Sequence, residues 1–229
     1  MSNIAIIPAR GGSKRLSQKN ILPVQNKPML AYPVMNAVKS KLFDQTIVST
    51  EDETIGNIGQ EAGARFLKRP ESLAKDRSTV AEVCIHVLEE LKKENVVPDF
   101  FCCIYATAIF LTVQDIIDSF KMLTESSKAN VVMGVSKFNL QPVQALEKKE
   151  DGLLSPMWPE YAQVQSQFQP SLVVSNGTIY WARTDRFLQK KTFYDEKLIG
   201  YEMPWVRALD IDTKESFEIV KMLAPSLLA

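Results

Sequence analysis

Apolar residues come along this chain in short dense bursts, separated by longer stretches in which they recur every three or four positions. Residues 3–8, NIAIIP, form one such burst and run straight into a glycine-rich turn, a pattern that predicts a buried strand. A helical period follows around residues 29–39. The same alternation predicts strand 46–50, helix 53–62, strand 64–67, helix 79–93, strand 101–106, helix 113–125 and strand 130–136. Strands that alternate with helices predict an α/β fold, with a mostly parallel sheet covered by helices in three layers.

The rhythm breaks between about residues 138 and 175, where Pro142, Pro156, Pro159 and Pro170 punctuate aromatic and glutamine-rich sequence. This stretch is expected to be an excursion from the main sheet. Strand 178–182 and a short helix from Asp185 resume the fold, and a last helix, 214–223, follows Asp210-Ile211-Asp212-Thr213. With no internal repeat and no long linker, residues 1–229 are expected to form a single domain, a size within the range of one α/β domain.

Composition narrows the partners. Lys plus Arg and Asp plus Glu are both 27, so no global field draws the chain to nucleic acid or to an anionic membrane, and any anion site must be local. No apolar run has the length or flanks of a signal peptide or a membrane span, which predicts a cytoplasmic protein. Cys84, Cys102 and Cys103 match neither a disulfide framework nor a zinc pattern and are expected to be buried thiols.

The sharpest chemical signal is Pro8-Ala9-Arg10-Gly11-Gly12-Ser13-Lys14-Arg15, continuing to Lys19-Asn20. Two glycines let backbone approach a phosphate closely, successive N–H groups can point at its oxygens, and the cations neutralise it. The spacing is neither GxxxxGK[ST] nor GxGxxG, which removes the usual support for kinase, ATPase and dehydrogenase readings. A basic surface turn is the plainer alternative. Asp210 and Asp212 alternate, so extended backbone would turn both carboxylates to one face as hard ligands for Mg²⁺, or Mn²⁺ in its place. The competing role is a cap, since Asp212 or Thr213 precedes the last helix. The one histidine, His86, falls within the helix pattern 79–93 and is expected to be structural rather than a general base.

The opening motif, with Ile47-Val48-Ser49-Thr50-Glu51-Asp52, Arg69-Pro70-Glu71, Asn176-Gly177 before Tyr180, and Asp210-Ile211-Asp212-Thr213, resembles the CMP-sugar synthetases, the cytidylyltransferases that activate sialic acids and their relatives. Cys102-Cys103-Ile104-Tyr105-Ala106-Thr107-Ala108 and Tyr180-Trp181 are most similar to the pseudaminic acid branch. The resemblance implies a Rossmann-like nucleotidyltransferase fold, CTP and an acidic nine-carbon sugar as substrates, and a homodimer with sites near its interface. It further implies that Ala9, Arg10, Gly11, Gly12, Ser13, Lys14, Lys19 and Asn20 hold the triphosphate, while Arg69, Ser78 and Thr79 read cytosine and ribose. Arg10, Lys14, Lys19, Asp210 and Asp212 would carry the catalysis. On the sugar side stand Tyr105, Thr107, Gln165, Gln167, Asn176 and Arg207. The chain departs from the branch in three places: Gln165-Ser166-Gln167 replaces Arg-Ser-Gln, Ser175-Asn176-Gly177-Thr178 is closer to the sialic pattern, and Ile109 replaces a proline. A neutral Gln165 in place of arginine shifts the expected partner of the sugar carboxylate to the metal or to Arg207. Two other readings are a cytidylyltransferase for 3-deoxy-manno-octulosonic acid, which the Gly11-Gly12 pair and Lys14 disfavour, and a non-catalytic nucleotide-binding protein, which both retained aspartates disfavour.

Overall fold

The structure, a computed structural model, describes residues 1–228. Strand β1 (Asn3–Pro8) is buried on both faces, with Ile4, Ala5, Ile6 and Ile7 wholly shielded from water, which is why it reads as one continuous apolar run. A two-residue ladder of β2 (Pro23–Val24) and β3 (Lys27–Pro28) leads to helix α1 (Ala31–Ser40). Then come β4 (Gln45–Thr50), α2 (Glu53–Glu61), β5 (Arg65–Lys68), α3 (Val80–Lys93), β6 (Phe100–Ile104), α4 (Val113–Glu125) and β7 (Val131–Lys137). The excursion holds a small hairpin, β8 (Leu146–Lys148) with β9 (Leu154–Pro156). The chain closes with β10 (Val173–Arg183), α5 (Thr184–Lys190), β11 (Leu198–Glu202) and α6 (Lys214–Leu227).

Seven strands form the main sheet in the order β11-β7-β10-β6-β1-β4-β5. All neighbours are parallel except β10, which runs antiparallel to both β6 and β7. The mostly parallel α/β sheet expected from the alternation is therefore present. The excursion leaves the C-terminal end of β7, and β10 runs back beside that strand in the opposite direction.

Within the main sheet, two strands differ most from the sequence expectation. β10 begins at Val173, five residues before 178, because Asn176-Gly177 is not a break but an irregularity inside the strand, where the register to β7 shifts between Ser175 and Tyr180 and Gly177 takes φ 62°. β11 has no counterpart in the expected elements. It is a short edge strand with Gly200 at its middle, and a Cβ there would stand 2.8 Å from Val135 Cγ2, so the residue that weakens the strand signal is the one the packing requires.

Trp181 anchors the core on the α4 side. It is wholly buried, stacks on Phe43 with centroids 5.1 Å apart, and donates Nε1–H to Ser119 Oγ at 3.1 Å. All three cysteines are buried free thiols, as expected. Capping boxes start α3 (Thr79 with Glu82), α4 (Thr112 with Asp115) and α6 (Thr213 with Ser216). Among the described residues no helix is long and apolar enough to cross a membrane.

Candidate active site

The glycine-rich loop leaves the C-terminal end of β1, where loops of a parallel sheet gather. It is braced from two sides. Ala9 N–H donates to Ser49 O at 3.0 Å, Gly11 N–H donates to Glu51 Oε1 at 2.7 Å, and the other oxygen of Glu51 accepts from Arg69 Nε and Nη2 at 3.0 and 2.9 Å. Buried Asn20 donates its amide to Arg10 O at 2.8 Å. Gly11 packs against Asp52, which N-caps α2 by accepting from Ile55 N–H, whereas the side of Gly12 where a Cβ would stand is open.

Cations crowd this loop. Arg10 Nη1 and Lys14 Nζ share Asp76, at 2.7 and 2.5 Å, and hydrogen bonds from Lys14 and then Arg10 hold the Asp76 carboxyl below its ordinary pKa. Lys19 Nζ bonds Asp212 Oδ1 at 2.6 Å, and Arg15 reaches the other oxygen. Beside the loop lies a cleft of about 230 Å³ lined by Arg10, Lys19, Asn20, Arg69, Ser78, Thr79, Tyr105 and Thr107. Eight residues spread from position 10 to 107 thus face one space. Thr79 spends its hydroxyl on the α3 cap, and Ser78 Oγ donates to Ser72 O. Ala9, Gly11, Gly12, Ser13 and Lys14 belong to the loop but do not line the cleft.

A second cavity, of about 830 Å³, adjoins it across Tyr105 and is lined by Met133, Asn176, Tyr180, Tyr194, Trp205 and Asp210 among others. Asn176 is fixed in its wall, donating Nδ2–H to Ser136 Oγ at 3.1 Å and accepting from Thr178 Oγ1 at 2.6 Å. Asp210 faces this cavity and Lys19 faces the first; Asp212 lines neither, but is bonded to Lys19. Burial, then the neighbouring Asp212, raises the Asp210 pKa. For Asp212 burial acts upward, yet the bond and charge of Lys19 and the charge of Arg15 outweigh it and leave the pKa lowered. Thr213 takes the α6 cap, so neither aspartate side chain is spent there.

Two adjacent carboxylates of this kind fit a hard divalent cation only in part. Among the described residues no three His, Cys, Asp or Glu side chains converge, so the remaining ligands would be substrate oxygens and water.

Not every expected residue arrives here. Arg207 lines neither cavity. Its guanidinium grips the Asp115 carboxylate with both terminal nitrogens, at 2.5 and 3.1 Å. Gln165 and Gln167 lie in the excursion, hydrogen-bonded to each other at 2.7 Å and outside both cavities of their own chain. His86 sits on α3, 3.9 Å from Glu90, and lines neither cavity. Glu51, Asp76 and Asp115 organise the site without having been assigned roles from the sequence. The Thr-x-x-Asp cap at residues 112–115 was visible in it, but the partner 92 positions away was not.

Burial acts upward on the Asp115 pKa, but the bonds from Arg207, Thr112 and Tyr201 prevail and hold it below the ordinary value. A carboxylate depressed by folding stabilises the protein above its unfolded pKa of about 3.9 and loses that contribution as pH falls through the folded value. Acid unfolding below about pH 4 is therefore expected to be steeper in the wild type than in Asp115→Asn, read as the melting-temperature difference between the two against pH. A constant difference would remove Asp115 from the acid transition.

The chain belongs to the cytidylyltransferase family, whose model matches residues 4–224. It is 31% identical over 220 residues to the pseudaminic acid cytidylyltransferase and UDP-2,4-diacetamido-2,4,6-trideoxy-beta-L-altropyranose hydrolase of Helicobacter pylori, covering 96% of this chain and 42% of that one. It is 34% identical over 222 residues to the N-acylneuraminate cytidylyltransferase of Escherichia coli, covering 94% and 50%. The chain thus spans half or less of the length of these two relatives. In fold it superimposes on a CMP:2-keto-3-deoxy-manno-octonic acid synthetase complexed with CTP, with a TM-score of 0.72, 16% identity, and 98% and 99% of the two chains covered.

Proposed function

We propose that this protein transfers CMP from CTP to a nonulosonic acid, with pseudaminic acid the first candidate and N-acetylneuraminic and legionaminic acids the next, releasing pyrophosphate. The observation that carries this reading is a polar cleft beside a cation-rich glycine loop that shares Tyr105 with a larger cavity, with Asp210 on the larger cavity and Asp212 bonded to Lys19 of the cleft. Relatives acting on pseudaminic acid and on N-acylneuraminate support the sugar class.

In this reading CTP lies in the smaller cleft. Backbone N–H groups of the loop and the charges of Arg10, Lys14 and Lys19 hold the triphosphate, and Arg10 and Lys14 exchange Asp76 for phosphate oxygens. Arg69 and the start of α3, at Ser78 and Thr79, bound the nucleoside. The sugar occupies the larger cavity against Tyr105 and Asn176, with Thr107 on the side of the nucleotide cleft, and its anomeric hydroxyl attacks the α-phosphorus. Asp210 and Asp212 would hold Mg²⁺ or Mn²⁺, which when bound neutralises phosphate charge. Catalysis then consists of alignment and fixed positive charge, with no side-chain nucleophile. Leu140, Leu153, Leu154, Met157 and Phe168 stand exposed along the excursion, which supports a homodimer in which that segment, with Gln165 and Gln167, reaches the neighbouring copy's sugar cavity.

The test is pyrophosphate release with CTP, Mg²⁺ and a panel of sugar acids. In the same assay series, CTP with Mg²⁺ is expected to raise the melting temperature more than ATP, GTP or UTP at equal concentration, because a ligand of the native state alone stabilises by RT ln(1 + [L]/Kd). Equal shifts for all four nucleotides would count against cytidine recognition.

A further inference from the structure

The Asp115 carboxylate is 3% exposed and accepts five hydrogen bonds: from Thr112 N–H at 2.8 Å, Thr112 Oγ1 at 2.7 Å, Tyr201 Oη at 2.9 Å, and Arg207 Nη1 and Nη2 at 2.5 and 3.1 Å. The donors belong to three segments. Thr112 ends the stretch that leaves β6 through Tyr105, which lines both cavities, and Thr107, which lines the smaller cleft. Tyr201 lies on β11. Arg207 ends the turn Trp205–Arg207, three residues before Asp210. Beyond β11 the chain from Met203 to Asp212 contains only that turn as regular structure, and its backbone is tied to the sheet by Met203 N–H on Val135 O at 2.8 Å. Buried Ile211 sets its depth in the core. Between these two anchors, the Arg207 side chain makes the only hydrogen bonds among the described residues that tie the segment to another part of the fold.

We propose that Asp115 and Arg207 form a positioning pair for the reaction, fixing where Asp210 and Asp212 stand relative to the Tyr105–Thr107 wall. The inference rests on the cytidylyltransferase reading above. Nothing in the pair touches substrate. A bidentate fork onto a five-bonded carboxylate defines both distance and orientation, which a point charge does not. Arg207 therefore serves the cation site at one remove, through Ala208 and Leu209, the two residues that separate it from Asp210. Apart from the Tyr105–Thr107 wall, the nucleotide cleft is built by the glycine loop, Arg69 and α3, to none of which the Arg207 side chain is bonded.

The variants are Arg207→Lys, which keeps the charge and loses the fork, and Tyr201→Phe, which removes a single bond and keeps the ring. In Arg207→Lys, Mn²⁺ binding followed by electron paramagnetic resonance is expected to weaken about tenfold and kcat to fall about tenfold, the scale on which groups that orient metal ligands act. CTP binding measured by calorimetry in EDTA should stay within about threefold, because the cleft is built elsewhere. Tyr201→Phe should shift Mn²⁺ affinity in the same direction by a smaller factor. Unchanged Mn²⁺ affinity in Arg207→Lys would overturn the proposal. So would metal-free CTP binding that falls by the same factor as Mn²⁺ binding, since a general loss of structure moves both. Wild-type protein that neither binds CTP nor releases pyrophosphate would sink the cytidylyltransferase reading itself, before any variant is made.

Discussion

Asp210→Asn and Asp212→Asn are each expected to lower kcat for pyrophosphate release by roughly a hundredfold or more, about 2.7 kcal/mol of transition-state stabilisation. The substitution keeps size and removes a charged, hard ligand. Neither change disturbs a helix cap, because Thr213 with Ser216 performs that task, and neither touches Ile211, which stays packed beneath them. The melting temperature of both variants should therefore stay within a few degrees of the wild type. The two should still differ in one respect. Asp212 holds Lys19 and Arg15, so its replacement frees two cations for the triphosphate and should tighten CTP binding in EDTA. Asp210 makes no such pair, and its replacement should leave metal-free CTP binding near wild type. Near-normal turnover in both variants would show that the alternating aspartates are structural.

Why some of this was legible in the sequence and some was not comes down to the range of the interactions involved. β1 announces itself because burial on both faces leaves no room for a polar residue among Ile4, Ala5, Ile6 and Ile7. The glycine loop is legible because phosphate recognition by backbone needs glycine and charge close together in the chain. Asp210 and Asp212 share one short extended stretch, where alternation alone aligns them. Arg207 shows the opposite case. Its side chain was available in principle to a sugar carboxylate, and only the tertiary fold brings Asp115 from 92 positions away to claim it. β11 was hidden because its central residue must be small against Val135, and the start of β10 because Asn176-Gly177 carries the signature of a turn while forming a bulge. Within the excursion the hairpin strands are three residues each, too short for a period to show.

The glycines of the loop separate folding from binding, and their alanine variants are expected to behave differently. At Gly11 a Cβ would stand 2.9 Å from Asp52 Oδ2 and 3.1 Å from Asp52 Cβ. Asp52 has little freedom to yield, because its other oxygen accepts from Ile55 N–H at 3.1 Å as the cap of α2. If the loop moves instead, the Gly11 N–H bond to Glu51 is lost, and with it the link to Arg69. Either route costs about 1–3 kcal/mol, as overpacking does, which for a domain of this size lowers the melting temperature by roughly 2–12 °C. CTP binding should weaken in the same variant, since the displaced loop carries Arg10 and Lys14. At Gly12 an added Cβ meets nothing within 4 Å, and the residue does not adopt a positive φ, so alanine fits the folded chain and restricts the unfolded one. Gly12→Ala should therefore melt at or slightly above the wild-type temperature. Its methyl nevertheless projects from the loop that is to take the triphosphate, and there it is expected to raise the CTP Kd by about tenfold, the loss of roughly 1.4 kcal/mol of close approach. Gly12→Ala that binds CTP as the wild type does would place the triphosphate elsewhere, and Gly11→Ala that melts as the wild type does would mean that Asp52 can retreat without losing its cap.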